Sequence, residues 1–160
     1  MSQTETHTLE PRMPSPAFVV PGAMDGLQAV HAAVAKTGLP ATLVELVNLR
    51  ASQVNGCALC VELHAGALRS AGERDERIWG VAAWREAPYF DPAERVALEL
   101  TEELTRIADR PGPVSDELWE EAQRHYDERQ LAALTLAIAN VNVWNRLNVA
   151  TRQVAGSFRG

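Results

Sequence analysis

The sequence predicts an all-α fold, a single-domain helical bundle of about seven helices. Three observations carry that prediction. No stretch of the 160 residues alternates apolar and polar side chains at period two. Apolar residues recur instead at three- and four-residue spacing along most of the chain. Glycine, proline and Asx residues interrupt that pattern at intervals that suit helices joined by short turns.

Taken in order, residues 1–16 are polar and contain Pro11, Pro14 and Pro16. They are expected to form a flexible N-terminal arm, disordered or packed on a partner subunit, ahead of one domain over residues 17–160. From Asp25 to Lys36, Leu27, Val30, Ala33 and Val34 fall at helical spacing, and Gly38 stops the run. Pro40 then opens "PATLVELVNLRASQV", whose Leu43, Leu46, Val47 and Leu49 are apolar. Asn55-Gly56 is a turn signal. "CALCVELHAGALRSAG" follows as the next helix and ends near Gly72. Residues 74–85 make a shorter one. Asp91-Pro92 caps the next helix, which runs to about Asp109 through Val96, Leu100, Leu104 and Ile107. "DRPGPVS" breaks the chain, and Ser115 caps a helix with Leu118 and Trp119 as its first apolar pair. The last helix, from about Glu128 to Gln153, is the longest.

Composition narrows the function. The net charge is −6 and the pI about 5.2, so the basic stripe that phosphate neutralisation needs is missing. No nucleic-acid partner is expected. Arginines alternate with glutamates in "GERDERIW", the pattern of a solvated helix face. No apolar run reaches the roughly 20 residues of a spanning helix, and the N-terminus lacks the apolar core of a signal peptide. The protein is therefore expected in the cytoplasm, without a membrane partner. Reducing compartments disfavour permanent disulfides, so a close pair of thiols there points to catalysis or metal binding.

That pair is in "VNGCALCVELH", where Cys57 and Cys60 are the only cysteines and His64 follows four residues later. Four readings compete. A c-type haem site needs histidine directly after the second cysteine, where Val61 stands. A structural zinc site needs four ligands; Cys57, Cys60 and His64 supply three, with His31 or His125 as a fourth, but a second pair at ligand spacing is missing. A thioredoxin fold places CxxC after a strand, whereas a helical segment precedes this one. The remaining reading is a redox-active dithiol on a helical scaffold. Positions 57, 60 and 64 share one helix face. Cys57 sits near the helix start, where free N–H groups and the macrodipole favour a thiolate.

Glu45 enters through the turn at residues 54 and 55. If the two helices flanking it form an antiparallel hairpin, residue 45 pairs with residue 64. A carboxylate, an imidazole and two thiols then converge. Singly, Glu45 reads as a solvated charge and His64 as an ordinary satisfied histidine. Together, at these spacings, they favour a functional site.

A glutamate twelve residues before CxxCxxxH resembles the signature of the alkylhydroperoxidase D-like branch of the carboxymuconolactone decarboxylase superfamily. Here Glu45 stands twelve before Cys57. The similarity spans roughly residues 25–155 and includes the tail "NVNVWNRLNVATRQ". The resemblance implies an all-α fold, a homo-oligomer (trimer or hexamer) and thiol peroxidase activity without a cofactor or metal. It implies Cys60 as the peroxidatic cysteine, Cys57 as the resolving one, and His64 with Glu45 as the proton relay. The implied partners are a hydroperoxide substrate and an external dithiol reductant, and Cys57, nearer the helix start, is expected to be the more exposed entry point for that reductant. The best-studied peroxidases of this type carry histidine directly before the second cysteine; here it is Leu59, which implies a shorter relay and weaker or redirected activity. The decarboxylase branch lacks the cysteine pair. The rival from another class is a non-catalytic dithiol redox sensor.

Two further groups stand out. Asn140, Asn142, Asn145 and Asn148 lie amid apolar residues of the last helix, where buried interhelical hydrogen bonding is the simplest reading and a subunit interface or the site the others. Trp79, Trp84, Trp119 and Trp144 read as core or interface anchors.

Overall fold

The computed structural model describes residues 9–157, and helix is the only regular secondary structure among them. The eight α-helices are α1 (Pro16–Val19), α2 (Ala23–Ala35), α3 (Ala41–Asn55), α4 (Ala58–Ser70), α5 (Asp75–Gly80), α6 (Pro92–Thr105), α7 (Asp116–His125) and α8 (Glu128–Thr151). A 3₁₀ turn, Val81–Ala83, continues α5. The one element beyond those expected is α1, a single turn at the start of the domain.

The starts follow the capping chemistry in the sequence. Asp91 accepts from the Glu94 N–H and Glu94 reaches back to the Asp91 N–H, a reciprocal box with Pro92 in the first turn. Asp127 and Gln130 make the same box for α8, and Ser115 accepts from the Leu118 N–H to start α7. One stop differs from expectation: α6 ends at Thr105 rather than near Asp109. Ile107 prolongs the apolar period there, but it is exposed and packs into no core.

α3 is the central element and packs on α4, α6 and α8. Both of its sides are buried. Leu43, Val44 and Val47 enter one core with Leu100 of α6 and Leu134 and Ile138 of α8. Leu46 and Leu49 enter a second core with Leu68, Ile78, Trp84 and Leu98. Of the expected arm, residues 1–8 lie outside the described residues, and residues 9–15 run along the end of α8. The Arg12 backbone N–H donates to the Thr151 carbonyl, its guanidinium to the Ala150 carbonyl, and Gln153 donates to the Met13 carbonyl. A cation at a helix C-terminus, where carbonyls lack intrahelical partners, is favourably placed. These contacts bring Ser15 and Phe18 over the side of the bundle that holds the cysteines.

Candidate active site

The chain turns at Gly56, whose φ of 68° lies in the left-handed region that glycine adopts without penalty and that closes α3. That turn makes α3 and α4 antiparallel neighbours. Cys57 is the N-cap of α4, and its sulfur accepts from the Cys60 N–H at 3.4 Å. Cys57 and Cys60 are joined as a disulfide, their Cα atoms 5.3 Å apart. Both are buried, Cys57 at 3% exposure and Cys60 at 2%. The expectation that Cys57 is the more exposed thiol fails: as a helix cap its side chain turns back over the helix start and is covered as fully as Cys60.

Glu45 faces His64 across the hairpin, with Oε2 2.7 Å from Nδ1. Both side chains are about one-fifth exposed, so the pair is neither sealed nor free in water. Engaging Nδ1 with the carboxylate fixes the ring and leaves Nε2 for other work.

A cleft of about 300 Å³ opens beside these groups. Phe18, Met24, Leu59, Leu63 and Trp144 give it apolar walls; Cys60 and His64 line it, and Cys57 does not. Ser15 contributes a buried hydroxyl without a hydrogen-bond partner, and Asn148 a side-chain amide. A smaller cavity of about 150 Å³ shares His64 and Trp144 with it and reaches His31 and the buried Asn48. Among the described residues, no three His, Cys, Asp or Glu side chains cluster as a metal site would require. His31 lines the smaller cavity, and His125 pairs with Glu121 on its own helix at 3.1 Å.

The asparagines of α8 make a polar seam against the hairpin. Asn55 donates to both Asn142 and Asn145, Asn145 donates to the Ser52 hydroxyl, and Asn142 to Thr105. Asn148 donates from Nδ2 to the Cys60 sulfur at 3.3 Å. Sequence reasoning grouped these residues without attaching Asn148 to the thiols. The usable signal was the three-residue spacing of 142, 145 and 148, which draws one stripe along a helix face. Ser15 and Phe18, at the end of the proline-rich arm and just after it, gave no signal, since such an arm does not declare where it docks. Of the tryptophans, Trp84 is a core anchor that donates to Glu102, and Trp144 walls the cleft. Trp79 is 66% exposed, so it anchors no core within the subunit.

Residues 21–103, just over half the chain, match the model of the carboxymuconolactone decarboxylase family. The chain belongs to that family. It is 36% identical over 139 residues to the uncharacterized protein YdfG of Bacillus subtilis (strain 168), covering 87% of this chain and 93% of that one. It is similar in structure to a protein of unknown function from Agrobacterium tumefaciens, suggested as the antioxidant-defence protein AhpD. The TM-score is 0.84 at 31% identity, over 91% of this chain and 98% of the other. An uncharacterized peroxidase-related protein from Ralstonia eutropha JMP134, described as an alkylhydroperoxidase AhpD core, shares the fold at a TM-score of 0.76 and 18% identity, over 92% and 77% of the two chains. Within the carboxymuconolactone decarboxylase family this member is AhpD-like: all-helical, with a CxxC pair at disulfide distance. No helix among the described residues is long and apolar enough to cross a membrane.

Proposed function

We propose that this protein is a thiol-dependent hydroperoxide reductase whose working group is the Cys57–Cys60 pair. The observation that carries this reading is that Cys60, and not Cys57, lines the cleft together with His64, whose ring is held by Glu45. The reduced Cys60 thiolate attacks the distal peroxide oxygen. The O–O bond breaks, the alkoxide leaves with a proton from the His64–Glu45 pair, and Cys60 becomes a sulfenic acid. The Cys57 sulfur then attacks the Cys60 sulfur, a disulfide forms and water departs. An external dithiol returns two electrons and two protons and is itself oxidised to a disulfide. The disulfide in the structure corresponds to the oxidised end of that cycle.

The working protein is proposed as a homo-oligomer in a reducing compartment such as the cytoplasm. Exposed apolar side chains support assembly, among them Phe18, Val19, Val20 and Val143. Light scattering at micromolar concentration checks this, and a monomer would count against it. The activity is tested by peroxide consumption with a recycling dithiol, run beside Cys60→Ser. Sustained consumption lost in the variant supports a reductase. Oxidation of the pair without turnover favours a dithiol sensor.

A further inference from the structure

Cys60 is nearly inaccessible to solvent, and burial in apolar surroundings disfavours a thiolate. A cysteine so placed ionises near neutral pH only if other groups replace the lost water. The hydrogen bonds to the two sulfurs are unlike. Cys57 accepts from a backbone N–H at the start of α4. Cys60 accepts from a side chain 88 residues away, the amide of Asn148 on α8.

The Asn148 amide is well set for this task. Asn148 is 8% exposed, and its helix is fixed against the hairpin by the Asn55, Asn142 and Asn145 bonds three and six residues before it. The Asn148 carbonyl accepts the Gln153 N–H, closing the end of α8 and fixing the turn from which the side chain projects. No lysine or arginine lines the cleft. The titratable groups around it are His64 on α4 and, through His64, Glu45 on α3, which are already paired with each other. Glu62, also on α4, interacts with the Gly156 N–H. The cleft's other lining, Ser15 and Phe18 at α1, Met24 and Gln28 of α2, Trp144 and Asn148 of α8 and Gln153 after it, adds no charge. Of the neutral amide and hydroxyl donors that line the cleft, Ser15, Gln28, Asn148 and Gln153, Asn148 is the one whose N–H is bonded to the sulfur, and a preorganised donor so aimed can hold charge there.

We propose that Asn148 is the donor that stabilises the Cys60 thiolate when Cys60 attacks as nucleophile. An N–H bonded to a charged acceptor is stronger than one to a neutral acceptor, so the bond favours the thiolate over the thiol. It also distinguishes the two cysteines: the sulfur at the cleft is the one given a side-chain donor. The kinetic consequence rests on the proposed reductase activity; the ionisation of Cys60 does not.

The test uses the reduced full-length chain in a Cys57→Ser background, so that one thiol titrates. Serine at that position retains an N-cap acceptor for α4. The thiolate is followed by its ultraviolet absorbance against pH, and by the rate of iodoacetamide alkylation at neutral pH. Asn148→Leu keeps the branched shape, with more bulk, and lacks the donor, and Asn148→Ala removes both shape and donor, with circular dichroism to show that each variant folds. Both variants are expected to raise the Cys60 pKa by about 1–2, and to slow alkylation at neutral pH by about tenfold or more, with the rate recovering at high pH. A folded Leu or Ala variant whose Cys60 titrates as in the parent overturns the assignment. Peroxide reactivity of the parent is measured separately and reads the proposed activity alone.

Discussion

The His64 ring is held across the α3–α4 hairpin by Glu45, Nδ1 to Oε2 at 2.7 Å. The two residues are 19 apart in sequence and meet because the turn at Gly56 folds one helix back on the other. Both side chains keep partial access to water, while the cysteines one and two turns before His64 are covered. The carboxylate thus orients the imidazole at the edge of the cleft rather than inside the core.

The first prediction concerns this pair. Glu45→Gln keeps the size and one oxygen acceptor but cannot take up a proton. It should leave fold and thiols intact and slow the reaction of the reduced protein with peroxide, since loss of general-base help costs about 10²–10⁴-fold. Rate should return as pH rises and the thiolate forms unaided. Stopped-flow measurements across pH check this. If Glu45→Gln and His64→Ala both react at full rate, the pair has no part in proton management.

The cysteines should separate by role. Cys57→Ser should still form a sulfenic acid at Cys60, trapped by dimedone and read by mass spectrometry, and then stop after one turnover. Cys60→Ser should react negligibly with peroxide. The reverse pattern, with the adduct on Cys57, would assign the attack to the sulfur that does not line the cleft.

The two variants test a candidate site whose layout was legible because it is local in the chain. Counting outward from the turn at 54 and 55 pairs residue 45 with residue 64, and a helical repeat places Cys57, Cys60 and His64 together. Helix starts were legible for the same reason, since Asp91 and Ser115 act within four residues of themselves. What the sequence concealed depends on distant packing. Asn148 reaches Cys60 across 88 residues, and no local pattern distinguishes an asparagine that bonds a sulfur from Asn145, which bonds a serine. The docking of Ser15 and Phe18 is set by where α8 ends and offers its last carbonyls to Arg12. Ile107 misled in the other direction: an apolar residue in phase is not a helical residue unless a core receives it.

Stability should depend on a carboxylate remote from the thiols. Glu102 is 4% exposed and is bonded by Arg50, Arg85 and the Trp84 indole. Burial pushes its carboxyl upward, but the bonds from Trp84 and Arg85 and the charges of Arg50 and Arg85 outweigh that and hold it below the ordinary value of 4.5. A carboxyl with a depressed folded value releases its proton more readily in the folded state. The stability it adds is therefore complete above the unfolded value and lost as pH falls through the folded one. Glu102→Ala should destabilise by about 3 kcal/mol, because it strands Arg50 in a partly buried site. The deficit should shrink as the pH drops below the ordinary carboxylate range. Urea unfolding at neutral and acid pH checks both, and an equal deficit at the two pH values would show that lost packing, not charge, is responsible.

The cleft itself makes the last prediction. Access to Cys60 runs past apolar walls, and among them Leu63 of α4 is 47% exposed and belongs to neither core. Tryptophan there adds bulk at the mouth without entering a core, so the fold and the Glu45–His64 contact should survive. Hydrogen peroxide is small enough to pass in either form. A bulky organic peroxide such as cumene hydroperoxide has to lie against the walls while its distal oxygen reaches the sulfur. Leu63→Trp should therefore lower kcat/KM for cumene hydroperoxide by about tenfold or more, the scale on which steric exclusion from an apolar pocket discriminates, and leave hydrogen peroxide within about twofold. Because both substrates meet the same thiolate, a change in thiol ionisation would slow them together. The ratio of the two rates thus isolates access from chemistry. An unchanged ratio in the folded variant would mean that peroxides reach Cys60 by another route, and that the apolar walls beside it serve something other than substrate entry.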